Sequence, residues 1–276
     1  AGEMAVPYII AAQKNGVACC LKHFFLNNHE VNRMTVNVNV SERAVEEIYL
    51  PAFEKCVKQS GLWTMMGSYN KWLNVHCCQN DSLLNGILKK RWGFDGAVIS
   101  DWGGCHDTDQ AVKNGLDMEF GTWTDGMSTN RSNAYDLYHL ATPYIQGIKS
   151  GKYTTRELDD KVRRVLRLFY RTTMNRQRPH GFLCSESHYE AARQIANEGI
   201  VLLQNRNNVL PIDRNKAKRI LVVGENAIKM MTVGGGSSSL KVQHEIIPID
   251  GLRAKFGNTA EIEYARGYVG DVTGEF

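Results

Sequence analysis

The sequence predicts an α/β protein with a parallel sheet, followed by the beginning of a second α/β domain. Short apolar runs at residues 17–21, 64–67 and 97–100 alternate with longer stretches that repeat apolar residues at helical spacing. Strands that alternate with helices are typical of βα units and of a parallel sheet. A polar stretch at residues 172–187 interrupts this pattern, and a new apolar run follows at residues 220–223. We therefore expect two domains joined by a linker.

Capping residues indicate where several helices begin. Ser41 precedes a stretch with apolar residues at helical spacing, and Asp81 precedes a stretch whose last turn is basic. Both residue types can accept hydrogen bonds from the free N–H groups of a helix start. Between the linker and the run at 220–223, the sequence VLLQN at residues 201–205 is predicted to form a strand. Two capping boxes are also predicted, Thr154 with Glu157 and Ser187 with Glu190.

The composition excludes several functional classes. Of the 276 residues, 43% are apolar and 22% are charged, as in an ordinary globular protein. The net charge is +4, but the basic residues are interspersed with acidic ones, so we expect no nucleic-acid binding. No apolar run approaches the roughly 20 residues that cross a bilayer, so we expect no membrane partner. The seven cysteines form adjacent pairs rather than CxxC clusters, which favours buried free thiols and predicts neither a metal nor a cofactor.

Polar side chains follow the first three predicted strands at the point where each strand ends. The pairs Lys22-His23 and Asp101-Trp102 follow the first and third runs, and residues 68–70 follow the second. The carboxyl ends of parallel strands meet at one edge of the sheet, which is where sites assemble in α/β proteins. Packing alone does not explain three successive strands that deliver such residues, so we expect a site there.

The sequence AVISDW places a carboxylate beside a flat aromatic side chain. A carboxylate such as Asp101 can attack or stabilise the anomeric carbon of a sugar, and the indole of Trp102 can stack on a sugar ring. The alternative is that Asp101 only caps the turn that follows its strand. For an isolated aspartate at a strand end, capping is the more common role. The choice between capping and chemistry therefore depends on the other motifs of the sequence.

Five separated motifs occur in a fixed order along nearly the whole chain: KHFFLNNHE, WTMMGSYN, RWGFDGAVISDW, GLDMEF and ANEGIVLLQN. Together they resemble glycoside hydrolase family 3. The resemblance implies a partial (β/α)8 TIM-like barrel over residues 1–171 and a linker over 172–187. It further implies the start of an α/β sandwich domain over residues 188–276, and a retaining β-glucosidase that needs no cofactor.

The same resemblance implies a role for each matching residue. Asp101 is implied as the nucleophile and Trp102 as the stacking tryptophan, while Lys22 and His23 bind sugar hydroxyls. Each residue also has a structural alternative: solvated surface for Lys22-His23, an ion pair for Arg33, core packing for Met66, and a backbone hydrogen bond for Tyr69. Cations near Asp101 would favour its ionised form. The residues implied to line the rest of this subsite are Arg33, Met66 and Tyr69.

The glycine-serine loop at residues 234–239 fits neither of the usual phosphate-binding patterns, GxGxxG and GxxxxGK[ST]. The resemblance implies that such a loop reaches over the barrel and touches the sugar through Ser237 or Ser238. A flexible linker is the alternative, and the sequence does not decide between the two serines.

The chain departs from the family pattern in two places. It reads YNKWLN where the family commonly has YNxVNG, so the acceptor side of the site is expected to differ. No acidic residue matches the motif of the acid/base glutamate, and Glu225, Glu245 and Glu275 each read as surface charges. We therefore expect the acid/base outside this chain, in further polypeptide segments; those segments or a homo-oligomer are the expected partners.

Several functions remain to be weighed against a β-glucosidase that acts on β-glucosides or oligosaccharides. A carbohydrate-binding fragment without an acid/base is one alternative, and a β-xylosidase of the same family is another. The sequences KHFFLNN and SDW argue against the N-acetylglucosaminidase branch, which carries KHFPGHG and an SDD-type motif. A nucleotide-binding protein built around RILVVGENA is disfavoured, because neither an acidic ribose partner nor a phosphate-binding lysine follows.

Overall fold

The computed structural model describes residues 1–121, 138–232 and 240–268. The chain divides into two compact units, Ala1–His180 and Gly181–Phe276, and each is described by itself. The helices of the first unit are α1 (Gly2–Lys14), α2 (Glu42–Ala44), α3 (Pro51–Ser60), α4 (Thr108–Lys113), α5 (Thr142–Lys149) and α6 (Thr155–Arg171), with wide π-type turns at Val45–Tyr49 and Ser82–Arg91. Its strands are β1 (Cys20–Phe24), β2 (Asn37–Val38), β3 (Thr64–Gly67), β4 (Lys71–Trp72), β5 (Val75–His76) and β6 (Ala97–Ile99).

The first unit is built around a parallel sheet. Its strand order is β1-β3-β6, and Thr64 lies opposite Cys20 on one side and Ala97 on the other. Met118 adds one further parallel bridge, to Ile99. Strands β2, β4 and β5 form a separate small sheet. The parallel α/β arrangement predicted for this part of the chain is confirmed, and the carboxyl ends of its strands share one edge.

The first strand begins later than its apolar run predicts. The prediction of a strand at residues 17–21 is wrong, because β1 spans Cys20–Phe24 and therefore contains Lys22 and His23. Val17 is 58% exposed, whereas Phe24 is fully buried, so the core forms around the aromatic end of β1 rather than around the start of the apolar run. The pairing with β3 shifts register between Leu21 and Phe24. A local irregularity of this kind re-aims side chains, and it falls at the Lys22-His23 pair.

The helix caps agree only in part with the sequence. Ser41 Oγ accepts a hydrogen bond from Ala44 N (3.2 Å), as expected. The cap assigned to Asp81 is wrong: the neighbouring Asn80 Oδ1 accepts from Leu83 N (3.1 Å) and makes the contact expected of Asp81. Asp81 instead accepts from the side chain of Asn85 at 2.7 Å, one helical turn later.

The two predicted capping boxes have different outcomes. Thr154 Oγ1 contacts Glu157 Oε2 at 2.5 Å and accepts from Arg156 N at 3.3 Å, at the start of α6. The second box is wrong, because helix α7 (Glu186–Gly199) begins one residue before Ser187.

Throughout the described ranges, no helix is both long and apolar enough to cross a bilayer.

The core of the first unit lies beneath the end of β1. Phe24 and Phe25 are fully buried, and Phe24 contacts the rings of Phe53 and Trp92 at centroid distances of 5.0 and 5.7 Å. Phe25 meets Trp72 edge-to-face at 5.0 Å. Aromatic side chains of this size contribute much of the burial free energy of a small core. They fix the strand end from which His23 projects.

A buried charge cluster lies beside β6. Asp117 Oδ2 accepts from Val98 N at 2.7 Å, and Asp117 N donates to Val98 O at 2.9 Å. Lys89 Nζ contacts Asp117 Oδ1 at 2.8 Å, and Arg164 Nε lies 4.0 Å from the same oxygen. Lys161 is 6% exposed and donates to the backbone carbonyls of Ala111 and Leu116. Buried charges persist when they are paired in this way.

The second unit carries a two-stranded parallel sheet. Strand β7 (Arg219–Val223) pairs with β8 (Glu261–Ala265) in continuous register, and helix α8 (Pro248–Phe256) precedes β8. Ile249 and Phe256 on α8 are buried. The strand predicted for VLLQN is not seen, because residues 201–205 pair with no other described segment. The strand predicted at residues 220–223 is confirmed, one residue longer.

The cysteines follow the predicted pattern in part. All seven lie in the described residues and are free, and Cys56, Cys77, Cys78 and Cys105 are buried. Cys20 and Cys184 are exposed, so the expectation of buried thiols is wrong for these two.

Lys161 gives the stability a defined pH dependence. Burial lowers its pKa from the ordinary 10.5 to about 8, and the charge of Asp117 opposes this shift. Between pH 8 and 10.5 the unfolded chain binds the proton more tightly, so the folded state gains relative stability as the pH rises through that window. We expect the free energy of unfolding, minus that of a Lys161→Met variant, to increase by about 1–3 kcal/mol across it.

The measurement is urea denaturation at several pH values. The exposed Lys149, on α5, provides the matched control, and its replacement by Met should leave the pH profile unchanged. A difference for Lys161→Met that stays flat or falls with pH would contradict the assignment.

Candidate active site

Asp101 lies in the turn that directly follows β6 and is 7% exposed. Its Oδ1 accepts a hydrogen bond from Trp102 N at 2.8 Å, and its carbonyl accepts from Gly104 N at 2.9 Å. One carboxylate oxygen therefore caps the turn, which was the alternative weighed from the sequence. The other oxygen, Oδ2, faces His23, so the two oxygens of Asp101 make different contacts.

His23 lies next to Asp101, with Nε2 3.3 Å from Asp101 Oδ2. Burial lowers the pKa of His23 below its ordinary 6.5, and the negative charge of Asp101 opposes this. The positive charges of Lys22 and Arg33 act in the same direction as burial. The imidazole is therefore neutral at neutral pH, and the contact joins a carboxylate to an uncharged ring rather than two full charges.

Tyr69 supplies a second polar group to Asp101. Its hydroxyl is hydrogen-bonded to the Asp101 side chain. Burial is the main cause that raises the pKa of Tyr69 far above its ordinary 10, and the charge of Asp101 adds to it. The phenol therefore stays protonated and donates to the carboxylate. The guanidinium of Arg33 lies 5.0 Å from the centroid of the Tyr69 ring and pairs with Glu30 at 2.7 Å.

Trp102 stands at the rim of the site with 41% of its surface exposed. Its ring lies 5.3 Å from that of Phe120, and Gly103 N donates to Phe120 O at 3.0 Å. Gly121 has φ +53°, and a Cβ built on it would stand 2.3 Å from Trp102 Cδ1. Sequence reasoning missed Phe120 and Gly121 as supports for the indole. The signal was the glycine that follows the GLDMEF motif.

Lys22 and Met66 lie close to these residues in the fold. Lys22 is exposed on β1, and its charge reaches both His23 and Cys20. Met66 is 6% exposed in β3 and pairs with Ile99 of β6. Its burial agrees with the core-packing alternative.

The remaining candidates lie elsewhere in the chain. Ser237, Ser238 and Glu275 lie outside the described residues. Glu225 and Glu245 belong to the second unit: Glu225 Oε1 pairs with Lys229 Nζ at 2.8 Å, and Glu245 Oε1 accepts from Thr232 N at 2.9 Å.

Side chains from β1, from the segments after β3 and β6, and from the turn before β2 lie in the neighbourhood of one carboxylate. His23 and Tyr69 are neutral groups beside Asp101, Arg33 adds a positive charge behind Tyr69, and Trp102 offers a partly exposed aromatic face. A buried carboxylate flanked by polar donors and an open indole suits a sugar ring, with hydroxyls around its edge and apolar faces.

The contact between Gly121 and Trp102 can be tested directly. We expect Gly121→Ala to lower the free energy of unfolding by about 2–4 kcal/mol, since it combines left-handed backbone strain with a clash on the indole. The near-UV circular dichroism of Trp102, taken as the difference from a Trp102→Phe protein, should change as well.

Gly151 has φ +78° and nothing within 4 Å of an added Cβ, so it is the matched control. Gly151→Ala should cost about 1–2 kcal/mol and leave the tryptophan signal intact. Equal behaviour of the two variants would refute the contact.

Both parts of the chain match models of a known protein family. The model of the glycosyl hydrolase family 3 N-terminal domain matches residues 1–168, and that of the family 3 C-terminal domain matches residues 200–271. The chain is 48% identical over 273 residues to beta-glucosidase BoGH3A of Bacteroides ovatus, covering 97% of this chain and 36% of that protein. It is 33% identical over 280 residues to an exo-alpha-(1->6)-L-arabinopyranosidase of Bifidobacterium longum, covering 96% and 35%.

A solved structure agrees with the fold. The beta-glucosidase of Kluyveromyces marxianus in complex with glucose matches with a TM-score of 0.84 at 32% identity, covering 99% of this chain and 32% of that one. The chain thus spans about a third of the length of the relatives that it matches. Its first part corresponds to a barrel domain and its second to the domain that follows it in these enzymes. Because the N-terminal domain model alone accounts for more than half of the residues, the chain belongs to glycosyl hydrolase family 3.

Proposed function

We propose that this chain carries the nucleophile of a retaining β-glucosidase, which hydrolyses terminal non-reducing β-D-glucosyl residues through a covalent glycosyl-enzyme. The observation that carries the proposal is the carboxylate of Asp101, held at the end of β6 with one oxygen bonded to the backbone and the other directed toward His23. The names of the matched beta-glucosidases support the choice of glucose.

The first chemical step follows from this geometry. Asp101 Oδ2 attacks the anomeric carbon, the bond from that carbon to the leaving oxygen breaks, and an ester to Asp101 forms. The donors His23 and Tyr69 orient the carboxylate and the sugar hydroxyls beside it. Trp102 stacks on a ring face.

The second carboxyl of the mechanism protonates the leaving oxygen and later activates water, from about 5 Å across the sugar. We assign this role to no residue of the chain, because Glu225 and Glu245 already hold contacts within the second unit. The match covers 36% of the length of beta-glucosidase BoGH3A, so most of that relative lies outside the matched region.

The domain organisation is part of the same proposal. We place the barrel segment at residues 1–171, the linker at 172–187 and the sandwich segment at 188–276. Helix α6 ends at Arg171, and α7 begins at Glu186, which supports these boundaries. The contact of Ser237 or Ser238 with the sugar stays a proposal as well.

Replacement of Asp101 tests the nucleophile. In the complete protein, Asp101→Ala should lower kcat/KM for an aryl β-glucoside by about 10⁴-fold or more, since double displacement has no substitute for the attacking oxygen. Added azide should restore turnover and give the α-glucosyl azide, because the anion attacks from the vacated side. A 2-deoxy-2-fluoro glucoside should label Asp101, identified by peptide mass.

The control is Asp95→Asn, an exposed aspartate on the loop before β6 that pairs with Arg171 at 3.1 Å. It should keep its activity within about twofold, because surface ion pairs contribute little. Label on another carboxylate, or a β-configured azide product, would show that Asp101 is not the nucleophile.

A substrate panel tests the sugar class. We expect kcat/KM for a nitrophenyl β-D-glucoside to exceed that for the β-D-xyloside by at least about tenfold, since a pentopyranose lacks the hydroxymethyl group and its contacts. The α-L-arabinopyranoside belongs in the panel because one relative is named for that activity. A higher kcat/KM for either pentoside would replace glucose as the proposed substrate while leaving the role of Asp101 intact.

A further inference from the structure

We propose that Cys105, Glu119 and His139 form a binding site for a thiophilic divalent cation, best matched by Zn²⁺, outside the sugar site. One ligand atom from each residue lies within 4.8 Å of the other two. Within the described part of the chain, this is the one group of three such residues that could hold a metal.

The three residues come from three separate segments. Cys105 lies between β6 and α4, Glu119 directly follows the Met118 bridge, and His139 precedes α5. Cys105 is 7% exposed, and the other two are half-buried. The fold therefore brings together a sulfur, an oxygen and a nitrogen ligand that are distant in sequence, in a place largely withdrawn from solvent.

Each ligand is oriented by a further hydrogen bond. His139 Nδ1 lies 2.8 Å from Thr108 Oγ1, and Glu119 Oε2 accepts from Leu140 N at 2.8 Å. The sulfur of Cys105 is hydrogen-bonded to the backbone of Asp107. Metal ligands are usually held by such outer partners, which fix the histidine tautomer and the carboxylate orientation.

The donor set selects the metal. Thiolate, imidazole and carboxylate together suit Zn²⁺, whereas Mg²⁺ and Ca²⁺ prefer oxygen ligands alone. Tetrahedral bonds of about 2.0–2.3 Å put ligand atoms roughly 3.3–3.6 Å apart, so the three side chains need to move inward only slightly on binding. Water completes the fourth position.

The Cys105 thiol holds a proton that a bound cation would displace. Burial raises the pKa of the Cys105 thiol, and the negative charge of Glu119 adds to this. Burial raises the pKa of Glu119 as well. A divalent cation that binds the thiolate displaces the thiol proton to solvent. A nucleophilic role for Cys105 fits less well, because the thiol is buried and its proton is held more tightly than in an exposed cysteine.

Bound metal would connect parts of the molecule that the sugar site uses. Cys105 follows Asp101 by four residues, and Glu119 precedes Phe120, which packs on Trp102. The cation would therefore tie the loop of the nucleophile to the segment that supports the stacking tryptophan.

The experiment uses the complete protein with the exposed thiols removed by Cys20→Ser and Cys184→Ser. Co²⁺ is added as a spectroscopic probe, and Zn²⁺ affinity is measured by competition with a chromophoric chelator. We expect one Zn²⁺ per chain, a sulfur-to-cobalt charge-transfer band, and release of a proton on binding. Cys105→Ser should abolish the band, and His139→Gln should weaken Zn²⁺ binding about 100-fold. Thr108→Val should weaken it about 10–100-fold, the range for outer partners.

Two controls separate this site from others. Cys56→Ser removes another buried thiol and should leave the band and the affinity unchanged. His76→Gln removes one ring of the stacked His76–His106 pair, whose centroids are 3.8 Å apart, and should also leave Zn²⁺ binding unchanged. Absence of a thiolate band in the Cys20→Ser, Cys184→Ser protein would overturn the proposal, whether or not the other variants fold. Loss of Zn²⁺ binding in His76→Gln but not in His139→Gln would overturn it too.

Discussion

The arrangement of the first unit depends on how the backbone N–H of Val98 is satisfied in the middle of β6. Asp117 accepts from that N–H through its carboxylate and donates its own N–H to the carbonyl of the same residue. An unpaired N–H at such a depth costs about 1–3 kcal/mol. Burying the charge of the Asp117 carboxylate costs free energy as well, and the nearby cations Lys89 and Arg164 offset that cost. The segment that begins at Asp117 is thereby docked beside β6.

The residues that follow Asp117 are held beside the loop of Asp101 by further hydrogen bonds. Ser100 N donates to Met118 O at 3.0 Å, and Phe120 N donates to Ser100 Oγ at 2.8 Å. These bonds set the turn that begins at Asp101 against the segment that carries Phe120. The loop that presents a carboxylate and an indole is therefore held by hydrogen bonds to the segment beside it, which reduces its conformational freedom before a ligand binds.

The sequence predicted the parts of the fold that rest on local patterns. The alternation of strands and helices, the strand at Thr64–Gly67 and the cap at Ser41 all follow from periodicity or from one residue beside a helix start. The position of β1 does not follow from periodicity, because pairing with β3 and the burial of Phe24 and Phe25 decide it. The cap at Asn80 escaped for a similar reason, since two neighbouring residues could each accept the bond.

The site shows the same division between sequence and structure. The motifs named Asp101, His23 and Tyr69, and the structure brings these three together. The support of Trp102 by Gly121 depends on a backbone angle and a close approach, neither of which a residue type reveals. Likewise, Cys105, Glu119 and His139 share no short sequence pattern, because they meet only through the fold.

The hydrogen bond from Trp102 N to Asp101 Oδ1 has a consequence for the second half of the proposed reaction. Once Oδ2 is esterified to the sugar, Oδ1 becomes the carbonyl oxygen of that ester, and the N–H still points at it. As the ester bond to the sugar breaks, negative charge returns to the carboxylate, and a donor already in place stabilises it without reorganisation. In the proposed reaction the turn that shapes the loop would therefore also make Asp101 a better leaving group, so that one backbone amide would serve both the architecture and the release of the sugar.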